Sequence, residues 1–196
     1  KTARALPHIE WLGKNAGGDG GSSLMFAEAL AEAGQTREAF EAARAASRAG
    51  VREADRLRGQ LASKMRLFEE ALEAYKRVLG MGPTDVEAML GLARAHQELG
   101  NVAEAVRVLA KAAKEAPQRA EPRQRLGAAL LAQRAHTPAR DALREAVTIA
   151  PDHPDSWLWL AEAQHALGDQ RERASALEHY VKLAPRSAAG REMLGD

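Results

Sequence analysis

Residues 154–185 read PDSWLWLAEAQHALGDQRERASALEHYVKLAP, and this stretch ends on the last of four evenly spaced prolines. The prolines stand 34 residues apart, at Pro83, Pro117, Pro151 and Pro185. A fixed period of this length is typical of a helix–turn–helix unit repeated in tandem. The spacing therefore predicts a repeat protein in which each unit buries its apolar face against the next unit.

Alignment on the prolines gives units of two helices each. Places 4, 7, 8 and 11 of a unit fall on one stripe of a first helix, and places 20, 24 and 27 fall on one stripe of a second helix. Proline at place 32 ends the second helix, because its ring cannot continue the hydrogen-bond ladder. The aligned units begin near Arg52, Val86, Ala120 and Pro154. The residues at place 8 are all small: Gly59, Ala93, Gly127 and Ala161.

Short local signals predict where the helices begin and end. Thr84, Asn101 and Asp169 each precede a glutamate by three residues, which is the spacing of a capping box. Gly100 and Gly168 follow the apolar stripe of a first helix, where glycine commonly ends a helix. The chain is therefore expected to consist of short helices joined by tight turns.

The pattern extends beyond the four aligned units. A further copy begins near Gly20 without its proline, and Arg191, Leu194 and Gly195 match the start of another unit. We therefore interpret the chain as a fragment of a larger repeat protein. Stretch 15–23, rich in glycine and serine, predicts a flexible linker. The predicted divisions are an N-terminal segment and Gly-rich linker (1–19), repeats at 20–51, 52–85, 86–119, 120–153 and 154–187, and the start of a further repeat or a capping helix (188–196).

The clearest copy of the pattern identifies a family. Its residues are Trp157, Leu160, Ala161, Ala176, Leu177, Tyr180 and Pro185. In these residues the chain resembles the tetratricopeptide repeat, from roughly residue 20 to residue 196. The resemblance implies an all-α, right-handed solenoid of about five helix–turn–helix repeats that serves as a protein-binding scaffold.

Arginine outnumbers lysine, which we interpret as the codon usage of a GC-rich bacterial genome.

Composition excludes several classes of partner. The net charge of +1 gives no general attraction to nucleic acid or to an anionic membrane. Without cysteine the chain forms no disulfide and no thiolate metal site. The absence of cysteine is compatible with the periplasm as well as with the cytoplasm, which is slightly favoured. No apolar run approaches the length of a membrane span, so direct membrane insertion is not expected.

The sequence shows no pattern that predicts catalysis. The glycine cluster lacks the Gly-Lys-Ser/Thr ending of a phosphate-binding loop, and no two histidines flank a glutamate at the spacing of a zinc hydrolase. Serine and threonine stand mainly at predicted helix starts, where capping explains them. We therefore predict that the chain is not an enzyme and has no catalytic residue, no metal ligand and no cofactor.

The resemblance also implies where a partner would bind. In the family, the first helices line the concave surface, and places 2, 5, 9, 12 and 13 point into its groove. The implied partner-binding residues are Glu28, Arg56, Gln60, Glu87, Leu90, Arg94, Gln97, Gln124, Leu131, Asp155, Leu158, Glu162 and His165. The alternative for the leucines is that they pack against the adjacent helix.

Two partner classes, one known in the family and one in the related 35-residue RNA-binding repeats, are not expected here. Chaperone-binding members hold a C-terminal carboxylate with lysine and asparagine, but Asn15 and Asn101 are the only asparagines and neither lies on the inner face. The carboxylate clamp is therefore absent. The acidic residues at place 2 disfavour nucleic acid.

The function predicted from the sequence is binding of a partner peptide or helix in the concave groove. One alternative is a structural spacer or assembly subunit of a bacterial envelope, motility or secretion complex, with self-association through the terminal repeats. Another alternative is the regulatory arm of an enzyme whose catalytic domain is encoded outside this fragment.

Overall fold

The computed structural model describes residues 19–187 and 192–193. Within these residues all regular secondary structure is α-helical, and ten complete helices follow one another. The prediction of an all-α fold is confirmed. The predicted N-terminal segment up to residue 18 and the matches at Arg191, Leu194 and Gly195 lie outside the described residues.

The chain divides into two compact units, and the boundary follows Gly100. Unit 1 contains α1 (Gly20–Glu32), α2 (Thr36–Arg48), α3 (Arg52–Lys64), α4 (Phe68–Met81) and α5 (Val86–Glu98). Unit 2 contains α6 (Val102–Glu115), α7 (Ala120–Ala132), α8 (His136–Ile149), α9 (Pro154–Leu167) and α10 (Gln170–Leu183). Among the described residues, none of these helices combines the length and the apolar character needed to cross a bilayer.

Within each unit every helix packs against the next helix along the chain. In unit 1, the first helices of the repeats also contact each other, as α1 with α3 and α3 with α5. In unit 2 the corresponding contact joins α7 and α9. The first helices of a unit therefore share one side. We call the exposed residues of α1, α3 and α5 the first-helix surface of unit 1, and those of α7 and α9 the first-helix surface of unit 2.

The core is built from small residues that face one larger side chain in each repeat. Leu109, Leu143 and Leu177, one in each second helix of unit 2, are fully buried. Burial of a leucine contributes about 1.5–3 kcal/mol. Gly127 lets α7 approach Leu143 of α8 closely, because a Cβ atom at Gly127 would lie 2.4 Å from Leu143 Cγ. The alanine-rich composition therefore serves close packing of helices.

The N-terminal start of α1 corrects the predicted linker. Residues 20–23 form the first turn of α1 and are not part of a flexible loop. The Asp19 side chain caps this turn by accepting hydrogen bonds from the backbone N–H groups of Gly21 (2.9 Å) and Ser22 (3.3 Å). These bonds, with one from the Ser22 hydroxyl, lower the pKa of Asp19. A capping carboxylate thus offsets the low helix propensity of two glycines.

The capping predictions are wrong in detail at three other helices. Asp85, rather than Thr84, caps α5 by accepting a hydrogen bond from the Ala88 N–H at 3.0 Å. Asn101 and Asp169 occupy the N-cap positions of α6 and α10, but their side chains make no capping hydrogen bond. The cap-plus-three spacing located each helix start to within one residue without identifying the side chain that caps it.

The turn that follows each first helix needs a left-handed residue. Gly34, Gly100 and Gly168 fill this position with φ between 77° and 81°, whereas Arg66 and Arg134 adopt φ values of 60° and 58°. A non-glycine residue in the left-handed region costs roughly 1–2 kcal/mol, because its Cβ approaches the following carbonyl oxygen. Glycine in place of Arg66 or Arg134 would relieve this strain and stabilise the protein.

Arg134→Gly is expected to raise the free energy of unfolding by about 0.5–1 kcal/mol, since relief of this strain exceeds the added entropy of an unfolded glycine. Chemical denaturation of the two proteins measures the change. The reverse exchange, Gly100→Arg, should lower stability by a similar amount. An Arg134→Gly variant less stable than the parent protein would contradict the interpretation.

Candidate partner-binding surface

The first-helix surface of unit 1 contains a cleft of about 340 Å³. Three residues predicted from the sequence line it together: Glu28 from α1, and Arg56 and Gln60 from α3. The other lining residues, which the prediction did not include, are Arg52, Glu53 and Leu57 of α3. The cleft is thus mainly charged, with acidic and basic groups side by side.

One carboxylate fixes the two arginines of this cleft. Asp85, at the start of α5, pairs with the guanidinium of Arg56 and lies 3.8 Å from that of Arg52. The Asp85 side chain is nearly buried, so these ion pairs are better shielded than ordinary surface pairs. Arg56 therefore presents a guanidinium whose position is fixed, and part of its hydrogen-bonding capacity is already used within unit 1.

The α5 helix adds exposed polar groups to the same surface. Glu87, Arg94 and Gln97 are exposed, as the sequence predicted for residues that contact a partner. Leu90 is only 3% exposed, which favours the alternative that it packs against a neighbouring helix. A leucine at the edge of the apolar stripe was buried with the core instead of facing solvent.

Unit 2 presents a second, smaller set of predicted residues. Asp155, Glu162 and His165 are exposed on α9. Leu131 of α7 and Leu158 of α9 are half-buried, and both pack against the core cluster around Leu143. The alternative that the leucines pack against a neighbouring helix is therefore correct in part.

Gln124 of α7 is also largely buried. It is 7% exposed, and a side chain covered to this extent offers almost no surface to a partner. It was a candidate because it stands at place 5, one of the places that point into the groove in the family. Of the predicted residues in unit 2, those available to a partner are Leu131, Asp155, Leu158, Glu162 and His165.

A buried charge network in unit 1 is the main feature that was not predicted from the sequence. Asp55 and Arg58 of α3 are 0% and 5% exposed, respectively. The Ser47 hydroxyl of α2 donates to Asp55 Oδ1 at 2.6 Å, and Arg77 Nε of α4 lies 3.3 Å from Asp55 Oδ2. Arg58 donates to Glu70 and, at 3.2 Å, to Glu73. The network thus joins α2, α3 and α4.

The electrostatics of this network follow from its contacts. Burial acts to lower the pKa of Arg58, but hydrogen bonds and ion pairs with Glu70 and Glu73 outweigh burial and raise it. The hydrogen bond from Arg58 lowers the pKa of Glu70, against the opposing effect of burial. The sequence did contain a signal that these two residues are buried. Asp55 and Arg58 stand at places 4 and 7, where α9 carries Trp157 and Leu160.

Comparison by sequence finds one family. A profile described as "Tetratricopeptide repeat" matches residues 64–133, and a second profile of the same description matches residues 154–187. The two matches together cover more than half of the chain. No curated protein matches it by sequence.

Comparison of structures finds similar folds. The chain resembles MamA with 25% identity and a TM-score of 0.67, over 70% of this chain and 75% of MamA. It resembles YrrB, described as a TPR protein with an unusual peptide-binding site, with 15% identity and a TM-score of 0.79 over 98% of both chains. A third match is MamA from Desulfovibrio magneticus RS-1, with 17% identity and a TM-score of 0.79, over 88% of this chain and 98% of that one.

Proposed function

The chain belongs to the tetratricopeptide repeat family, and from this premise we propose that it is a protein–protein interaction scaffold. A partner peptide or helix binds on the first-helix surfaces. The observation that carries the proposal is the charged cleft of unit 1, together with the exposed polar residues of α5 on the same surface. YrrB has the same fold and a peptide-binding site, so the fold is compatible with this role. The proposal assigns binding, and not catalysis, to these residues.

The energetics favour polar anchors over apolar ones. Association costs roughly 4–15 kcal/mol in lost freedom of motion. Leu131 and Leu158 are already half-buried, so each has less than the usual 1.5–3 kcal/mol left to contribute. Hydrogen bonds to charged groups contribute about 1.5–3 kcal/mol each. The partner is therefore expected to carry charged side chains opposite Arg94, Glu28 and Glu87, and to bind with about micromolar affinity.

A crosslinking experiment identifies the partner. A photoreactive amino acid is placed at Gln97, on the first-helix surface of unit 1, or at Lys76, which is exposed on the second helix α4. In the cells that make the protein, the proposal predicts one adduct from the Gln97 position and none of the same mass from the Lys76 position. Identical adducts from both positions would show that the first-helix surface has no special role.

Charge reversal then tests the contribution of the surface. Arg94→Glu is expected to weaken binding of the crosslinked partner by roughly ten- to hundredfold, because it removes one charge-assisted contact. Isothermal titration calorimetry measures the affinity. The melting temperature should not change, because Arg94 is exposed. The matched variant Lys76→Glu should bind like the parent protein. The proposal fails for unit 1 if Arg94→Glu and Lys76→Glu bind equally well.

A further inference from the structure

A second cleft, of about 360 Å³, lies in unit 2 and is formed by α8, α9 and α10. Its floor is apolar, since Val147 and Leu160 belong to the buried core and Trp157 packs against that core. Contacts on two sides hold the Trp157 ring. It stacks on His179 with centroids 4.3 Å apart, and its indole N–H donates to the Pro151 carbonyl at 2.8 Å. The size lies within the range of pockets that hold small organic groups.

Gln164 brings an unsatisfied polar group to this cleft. Its side chain lines the cleft and is 3% exposed, and its Oε1 atom is buried with no hydrogen-bond partner in the described part of the protein. Buried polar groups in proteins are nearly always hydrogen-bonded, so an exception indicates a group that a ligand could satisfy. A phenolic hydroxyl can hydrogen-bond the Gln164 amide whichever of its two atoms faces the cleft. The hydroxyl donates to the amide oxygen or accepts from the amide nitrogen.

The wall formed by α8 carries a positive charge. Arg144 is exposed and lines the cleft, and among the residues described here its guanidinium forms no ion pair. The neighbouring Glu145 is already paired with Arg123 at 2.7 Å. Glu172 lines the cleft from α10. A bound carboxylate would therefore lie on the α8 side, where it can accept hydrogen bonds from Arg144.

We propose that this cleft binds a tyrosyl side chain of a partner protein that has a carboxylate next to it. The ring covers the apolar floor, the hydroxyl bonds the Gln164 amide, and the carboxylate pairs with Arg144. The helices α8 and α10 do not contribute to the first-helix surface. The α9 residues that line the cleft are Trp157, Leu160 and Gln164, which differ from the α9 residues assigned to the first-helix surface, so the site can be tested without the partner of that surface.

N-acetyl-L-tyrosine is a suitable probe, because it carries the ring, the hydroxyl and the carboxylate. In the whole chain, it is expected to shift the NMR resonance of the Trp157 indole N–H with a dissociation constant of about 1 mM. Two matched probes each lack one group: N-acetyl-L-phenylalanine lacks the hydroxyl, and N-acetyl-L-tyrosine amide lacks the carboxylate. Each should bind about tenfold more weakly.

Single substitutions then assign the two polar contacts. Gln164→Leu keeps the bulk of the side chain and should abolish the preference for N-acetyl-L-tyrosine over the phenylalanine probe. Arg144→Gln should abolish the preference over the amide probe, whereas Arg171→Gln, exposed on α10 outside the cleft, should change neither preference. Equal binding of all three probes, no shift of the Trp157 resonance, or preferences that persist in the variants would overturn the proposal.

Discussion

Arg58→Ala is expected to lower the free energy of unfolding by about 3 kcal/mol, because it removes one partner from a buried charge network. Arg58 lies 4.0 Å from Asp55 Oδ1, so the substitution leaves the completely buried Asp55 with only Ser47 and Arg77 as partners. It also removes the largest buried side chain of the network and leaves a cavity. Urea denaturation followed by circular dichroism measures the change, which is far larger than that expected of a surface ion pair.

Two further variants separate burial of charge from loss of packing. Arg94→Ala, an exposed arginine on α5, should change stability by less than about 0.5 kcal/mol. Asp55→Met combined with Arg58→Leu gives α3 the pair that α5 carries as Met89 and Leu92. This apolar pair should restore most of the lost stability, since buried ion pairs replaced by apolar residues of similar size are often neutral or stabilising. If Arg58→Ala lowers the free energy of unfolding by less than about 1 kcal/mol, the network contributes no more than exposed ion pairs do.

Gly91→Ala is expected to destabilise the protein by about 2 kcal/mol through steric overlap. A Cβ atom at Gly91 would lie 2.3 Å from Cζ of Tyr75, and one at Gly59 would lie 2.9 Å from the same ring. The buried Tyr75 ring of α4 is therefore in contact with the backbones of both α3 and α5 and has no room to move aside. The overlap outweighs the roughly 1 kcal/mol that alanine gains over glycine in a helix.

Gly80→Ala is the matched control, since nothing lies within 4 Å of a Cβ atom at Gly80 in α4. That variant should be as stable as the parent protein or slightly more stable. The comparison is repeated with Tyr75→Leu, because the later second helices carry leucine at this place. In the Tyr75→Leu background the ring is absent, so Gly91→Ala should lower the free energy of unfolding by less than about 0.5 kcal/mol. A Gly91→Ala variant with the stability of Gly80→Ala would contradict the packing argument.

The candidate surface could be predicted from the sequence only in part. Exposed residues such as Arg94 and Glu162 lie well away from the apolar stripe, so helical periodicity alone places them in solvent. Leu90 and Gln124 lie at the edge of the stripe. Whether such a residue is covered depends on how closely the neighbouring helices approach, and the sequence of one helix does not specify that distance.

The sequence by itself determined the helices, their order and the repeat. Each of these depends on interactions between residues near one another in the chain: the period of apolar residues, proline ending a second helix, and glycine adopting positive φ in a turn. The capping side chain at α5 was misidentified by one residue, because two adjacent residues both had the right chemistry.

The tertiary structure alone decided which partners the buried polar residues contact and which clefts remain open. Asp55 and Arg58 occupy places that are apolar in α5 and α9, but their polar partners, Ser47, Glu70 and Arg77, come from α2 and α4. The cleft next to Gln164 likewise depends on three helices that are separate in the sequence. Burial is a property of the contacts between distant segments, so it is fixed only when the helices pack.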